Sequence, residues 1–152
     1  MPYALPLCRI HLAIYLAFLH DYDINGVRQS AAVMKIIIVG AGEIGRHLAV
    51  SLARESHSIV VIEYDTKVAE ELEQQIDGRV LTGNGATANL LIEAGVAECE
   101  LFLALTSDST VNLMAASMAK KFEAQKVIAR VHPGLQREEW LFDYRGHFGI
   151  DH

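Results

Sequence analysis

Cysteine is scarce in this chain: Cys8 and Cys99 are far apart, and neither belongs to a CxxC pair. Two lone thiols build no disulfide framework and suit a reducing cytoplasm. Metal-ligand patterning is missing as well. Seven histidines run from His11 to His152 with no HExxH and no Cys/His spacing, which argues against a structural zinc site. There is no excess of positive charge, since 13 basic against 19 acidic side chains leave a net charge of −6. A nucleic-acid partner wants a basic face and an electrostatic membrane anchor wants a basic run, so both are disfavoured. Long apolar runs are also wanting. The early apolar stretch in "CRIHLAIYLAFLH" extends only from Leu12 to Leu19, where a membrane span needs roughly 20 residues.

That stretch lies in an N-terminal segment, residues 1–33, unlike the rest. It fits a signal peptide poorly, because Arg9 is the only early charge and "HDYD" follows where small residues would mark cleavage. It reads as an extension upstream of a start at Met34, with a short amphipathic helix packed on a partner as the rival reading. Removing it leaves 11 basic and 17 acidic residues, so the charge argument is unchanged.

What is present begins at Met34. "KIIIVG" is a continuous β-branched run, the pattern of a strand buried on both faces of a parallel sheet. Ile44, Leu48 and Leu52 then recur every four residues, one face of a helix. "HSIVVIEYD" reads as a second strand, and Val68, Leu72 and Ile76 stripe a second helix with Asp65 or Thr66 to cap it. "GRVLTGNGA" is a short third strand, and "NLLIEAGV" a brief helix closed by Gly95. "ELFLALTSD" is a fourth strand, followed by a helix with Val111, Ala115, Met118 and Phe122 on one side. "KVIARVHP" is a fifth strand stopped by Pro133, "LQREEWLFDY" reads as a helix, and "FGIDH" as the lead into another strand. This alternation predicts an α/β, Rossmann-like, doubly wound parallel sheet with helices on both faces. Ligands of such sheets bind at the carboxyl ends of the strands, near the switch in strand order.

Four loops therefore carry the function. The first holds Gly40, Gly42 and Gly45 in GxGxxG register: a tight turn, a close approach for a pyrophosphate, and close helix–strand packing. Free N–H groups at the start of the following helix attract phosphate. The second ends in Glu63, 23 residues after Gly40, where a carboxylate accepts ribose hydroxyls and repels a 2′-phosphate. That favours NAD or an adenosine nucleotide over NADP. Asp65 is either a ligand contact or a plain helix cap. In the third loop, Asn84 between Gly83 and Gly85 is either an adenine reader or ordinary turn chemistry. The fourth offers Thr106, Ser107, Asp108 and Asn112, with Ser107 or Asp108 available as caps. The candidate cofactor-binding set is Gly40, Gly42, Glu43, Ile44, Gly45, Glu63, Tyr64, Asp65, Gly83, Asn84, Gly85, Thr106 and Ser107. No catalytic constellation accompanies it: there is no Tyr-x-x-x-Lys pair and no activated nucleophile, and His132 and His147 are the only late candidates for a base.

The segments "MKIIIVGAGEIGRHLAVSLARESHSIVVIEYD", "LTGNGA", "LLIEAGVAECELFLALTSDSTVNLMAASMAKK" and "KVIARV" together resemble the TrkA N-terminal domain, also called the RCK or KTN domain, over residues 34–152. The resemblance implies a non-enzymatic cytoplasmic regulator of bacterial potassium uptake systems and potassium channels. It implies dimers gathered into rings beneath a membrane-embedded pore and NAD, NADH, ATP or ADP as a regulatory ligand. On that resemblance Gly40, Gly42 and Gly45 form the phosphate loop and Glu63 is the ribose acid. Asn84 sits beside the adenosine, and Thr106 and Ser107 close over the nucleotide. Arg130 matches a characteristic arginine without an assigned role. Some ATP-sensing relatives carry arginine where this chain has Glu43; a carboxylate there opposes a γ-phosphate and favours NAD(H), ADP or AMP, unless Arg46 compensates. The family usually continues into a small C-terminal ligand-binding domain, so this chain is expected to be truncated before it. The alternative is the cofactor domain of an NAD-dependent dehydrogenase without its substrate domain, and a third reading is an interaction module with an empty cradle.

Overall fold

The computed structural model describes residues 33–137 and 141–151. The expectations for the N-terminal segment fall outside these residues, apart from Val33.

Five short strands carry the chain's most apolar runs: β1 (Lys35–Val39), β2 (Ser58–Glu63), β3 (Arg79–Thr82), β4 (Leu101–Ala104) and β5 (Lys126–Ala129). All pair in parallel, in the order β3-β2-β1-β4-β5. β1 lies at the centre, with Ile37 opposite Val60 on one side and Phe102 on the other. Its Ile36, Ile37 and Ile38 are fully buried, as a strand covered on both faces requires.

The connecting helices cover both faces. α1 (Glu43–Arg54) and α2 (Thr66–Glu73) follow β1 and β2, and bury Leu48, Leu52, Ala69 and Leu72. α3 (Ala88–Ala94) and α4 (Ser109–Lys121) cover the opposite face, where Leu91, Ala94, Leu113, Ala115, Ala116 and Ala119 join Ile37, Val39, Val60, Ile62, Phe102 and Val127 in one core. The small residues of α4 let it lie close to the sheet. Side chains alternate along each strand, so β1 feeds both cores with successive residues. The doubly wound Rossmann-like architecture is therefore present as read.

Local signals account for the boundaries. Asp65 caps α2 by accepting from Lys67 N and Val68 N, and Asp108 caps α4 by accepting from Thr110 N and Val111 N. Gly95 ends α3 in the left-handed conformation at φ 78°. A 3-10 turn, Val96–Glu98, then leads into β4. Cys99 beside it is fully buried and donates its thiol hydrogen to Leu101 O. Burial pushes that thiol up from the ordinary 9.0 to about 11.

Two expectations near the C-terminus need correction. The helix expected over residues 135–144 is instead α5 (Pro133–Gln136), with residues 138–140 outside the described set, and a separate α6 (Tyr144–Phe148). Asp143 starts α6 anew by accepting from Gly146 N, so the segment is not one helix. "FGIDH" does not form a strand within the described residues. Phe148 ends α6, Gly149 is left-handed at φ 66°, Ile150 is buried in the core, and Asp151 hydrogen-bonds to the sheet. There Asp151 N donates to Val127 O at 2.8 Å, and its carboxylate accepts from Val127 N at 2.7 Å and Lys120 Nζ at 2.8 Å. Burial raises its pKa, but the Lys120 hydrogen bond, the Val127 N–H and the Lys120 and Lys126 charges outweigh that and hold it below the ordinary 3.8.

Candidate functional site

The strand order reverses between β1 and β4, and there the loops following both strands meet. Gly40 extends the β1 ladder, donating to Ile62 O at 2.8 Å, then turns with φ 98°. A methyl group built on Gly40 would lie 2.9 Å from Thr106 N and 3.0 Å from Thr106 Cα. Only glycine lets the first loop and the fourth come together this closely. A methyl on Gly45 would sit 1.9 Å from Gly40 O, so the missing side chain brings the start of α1 onto the end of β1.

Gly42 is different. It is exposed, its φ of −63° suits any residue, and a methyl there would meet nothing within 4 Å. It is also the N-cap of α1 and supplies no side-chain cap. The first N–H groups of a helix have no partner inside the helix, so α1 offers donors to the open space at Gly42, whereas α2 and α4 spend theirs on aspartates. This is the geometry of an anion site, assisted by the helix dipole.

Glu63 closes the base of that loop. Its Oε2 accepts from Ala41 N at 2.6 Å and its Oε1 from Asp65 N at 2.8 Å. A carboxylate has about four lone-pair sites, so two remain for hydroxyls of a ligand. Tyr64 beside it is 79% exposed. Asp65 caps α2 through Oδ1, which accepts from Lys67 N at 2.9 Å and Val68 N at 3.2 Å.

The third loop also touches the first strand. A methyl on Gly85 would fall 2.2 Å from Val39 Cγ1, so Gly85 seats this loop on the end of β1. Gly83 turns at φ 150°. Asn84 is exposed and its Oδ1 accepts from Ala86 N at 2.9 Å, which is turn chemistry and leaves Nδ2 for any ligand. In the fourth loop Thr106 is half-buried and Ser107 exposed. Asp108 is a cap, and Asn112 is buried in bonds to Thr106 and Arg130 rather than presented to the crevice.

Charge at the rim is sparse. Glu43 is exposed in the first turn of α1, with Ile44 half-buried behind it. Arg46, expected to offset Glu43 under one reading, pairs instead with Glu71 of α2 at 3.2 Å. His132 accepts from Gly134 N through Nδ1 as the cap of α5. His147 lies in an aromatic cluster, 4.9 Å from the Phe142 ring and 5.0 Å from Phe148. Neither histidine is brought to the glycine loop by any bond described. No group of three potential metal ligands occurs among the described residues, and no described helix is long and apolar enough to cross a membrane.

Sequence reasoning passed over two parts of this arrangement: Ala41, whose N–H donates to Glu63, and the bracing role of Asn112. The second had a signal, since a polar, weak helix former stands at 112 inside the Ala- and Leu-lined face of α4.

The comparisons with known proteins bear on the family and the fold. Residues 36–141 match the family model described as the TrkA-N domain. The Trk system potassium uptake protein TrkA homolog of Archaeoglobus fulgidus is 43% identical over 98 residues, 64% of this chain and 22% of that protein. The chain thus spans about a fifth of this relative's length. The TrkA-N domain of the inner membrane protein ybaL from Escherichia coli superposes with a TM-score of 0.67 at 20% identity, covering 80% of this chain and 86% of the other. The AMP-bound Kef CTD of Shewanella denitrificans gives 0.58 at 23% identity, covering 70% and 65%. The GsuK channel bound to NAD gives 0.56 at 23% identity, covering 84% and 25%. These likenesses concern the fold. With the model match across most of the described residues, and with the glycine loop, the acid below it and the parallel sheet in place, the chain belongs to the TrkA-N domain family.

Proposed function

We propose that residues 34–152 are a regulatory nucleotide-binding domain of a potassium transport system and that the crevice between β1 and β4 takes an adenine nucleotide as a signal rather than as a reactant. The observation that carries this reading is the pairing of an open, side-chain-free α1 N-terminus at Gly42 with the Glu63 carboxylate fixed beneath it. Phosphate on the first and ribose on the second is the natural division of labour. Gly40, Glu43, Ile44, Gly45, Tyr64, Asp65, Gly83, Asn84, Gly85, Thr106 and Ser107 form the rest of the site. Relatives named as TrkA, the AMP in the Kef domain and the NAD in the GsuK channel support the assignment.

NAD or NADH is the favoured ligand, followed by ADP and AMP. ATP is disfavoured, because Glu43 stands at the phosphate loop and Arg46 is held by Glu71. The partner is a membrane-embedded potassium transporter or channel subunit, reached from the cytoplasmic side by a homodimer or larger ring. Residues 1–33 are an extension outside this domain, which is truncated before a C-terminal ligand-binding domain. Regulation requires the nucleotide to bind two states of the assembly unequally, and a coupling of ~1–3 kcal/mol gives a 5–150-fold effect.

A thermal-shift panel with ATP, ADP, AMP, NAD, NADH and NADPH tests the reading. NADH, NAD, ADP and AMP should raise the melting temperature more than ATP or NADPH at equal concentration. The Glu43→Gln variant should gain affinity for ATP by about threefold, the size of one screened charge–charge term near 6 Å. A protein that responds to no adenine nucleotide, or to ATP above all others, would overturn it.

A further inference from the structure

Among the described residues only His57 and Asn112 are buried polar side chains, and Asn112 is 1% exposed. Every hydrogen-bonding position of its amide is filled. Oδ1 accepts from Thr106 N at 2.9 Å and Thr106 Oγ1 at 2.7 Å. Nδ2 donates to Thr106 O at 2.9 Å and to Arg130 O at 2.8 Å. One side chain in the first turns of α4 thus holds three polar groups of the β4–α4 loop and one carbonyl at the end of β5.

Both partners lead somewhere. Thr106 is the residue against which Gly40 packs with no room for a methyl. Arg130 opens the short corner into α5, where His132 N donates to Ser109 Oγ at 2.8 Å, so α4 clasps that corner a second time. A fully satisfied buried amide specifies one geometry, because displacing either partner breaks bonds that water cannot replace there.

We propose that Asn112 is a positioning residue that makes the loop at the crevice and the corner at residues 130–132 one unit, so that a nucleotide seated against Gly40 and Thr106 tightens that corner. This rests on the nucleotide reading given above.

Amide hydrogen exchange, followed residue by residue on the whole chain with and without NADH or AMP, tests the idea. The Ile38 amide in the central strand serves as the measure of global unfolding. In the wild type, nucleotide should slow the Thr106 and His132 amides together by about threefold or more, while Ile38 slows by the full global stabilisation that binding confers. Asn112→Asp keeps acceptors for Thr106 but has no donor for Thr106 O or Arg130 O. It should retain the Thr106 response and lose the His132 response, which a simple loss of stability would not do. Where that variant does not fold, Asn112→Ser carries the same comparison without a buried charge. An undiminished His132 response in the variant, or a wild type in which only Thr106 responds, overturns the proposal. If neither nucleotide binds the wild type, the nucleotide reading fails by itself, and the ligand-free variant decides the coupling. A rise of about tenfold in His132 exchange relative to Ile38 supports it and an unchanged ratio overturns it.

Discussion

Replacing Gly42 by alanine separates binding from folding more sharply than any other change in the glycine loop. A methyl there meets nothing within 4 Å, and φ of −63° is comfortable for alanine. Two small effects on the unliganded protein oppose each other: alanine is a poorer N-cap than glycine, and it restricts the unfolded chain. Each is on the order of 0.5–1 kcal/mol, so the net change should lie within about 0.5 kcal/mol. Binding should change much more, because the methyl occupies the space a phosphate must enter to reach the α1 N–H groups. Wild-type protein at 100 times the dissociation constant gains about 2.7 kcal/mol, and a 100-fold loss of affinity reduces that gain to about 0.4 kcal/mol. At roughly 4 °C per kcal/mol for a domain of this size, the ligand-induced shift drops from about 10 °C to below 2 °C. Differential scanning fluorimetry with and without NADH reads both quantities in one experiment. A Gly42→Ala protein that binds like the wild type would refute the placement of phosphate at this turn. One that loses more than about 2 kcal/mol without ligand would refute the reading of Gly42 as open space.

Gly45→Ala should do the reverse: its methyl would be 1.9 Å from Gly40 O, and the forced shift of α1 should cost about 1–3 kcal/mol, seen as a lower urea midpoint. In a Cys8→Ser background, Cys99 should resist thiol reagents at pH 8 until the protein unfolds, because with a pKa of about 11 only about 0.1% is thiolate. Since the unfolded thiol releases its proton first, stability should also fall as pH climbs from about 8.5 toward 11, a slope that Cys99→Ala removes. Asp151 acts in the acid range. Its folded pKa lies below its unfolded value, so its contribution is present above about pH 4 and is lost as pH falls through the folded value. Asp151→Asn should flatten that part of the urea-stability profile by less than about 1 kcal/mol, because the Lys120 pair is about a third exposed.

The sheet was legible because its two longest strands, "KIIIV" and "SIVVIE", are β-branched runs that no amphipathic helix imitates. The cradle was legible because glycine, unlike most residues, announces a backbone requirement: Gly40 and Gly45 are glycine for contacts of about 3 Å or less. Pairings between distant side chains were not legible. Arg46 stood in the right turn to face a phosphate, yet Glu71 of the next helix takes it. Asn112 was visible as a loop candidate, but its role depends on Arg130, 18 residues away, and on the register of β5. The error at residues 135–144 arose because the segment was read as one helix through Asp143, which caps a new helix.

The central position of β1 has a consequence for the order in which the chain is made. Its neighbour β2 follows shortly, but the contact that closes its other side joins Lys35 to Glu100, 65 positions later. Synthesis at about 5–20 residues per second leaves that edge open for roughly 3–13 s. During this interval Ile36, Ile37 and Ile38, destined to be the least exposed residues in the domain, present an unpaired strand to the cell. The nascent chain is therefore most open to mispairing well before the crevice between β1 and β4, which is bounded by the same two strands, can exist.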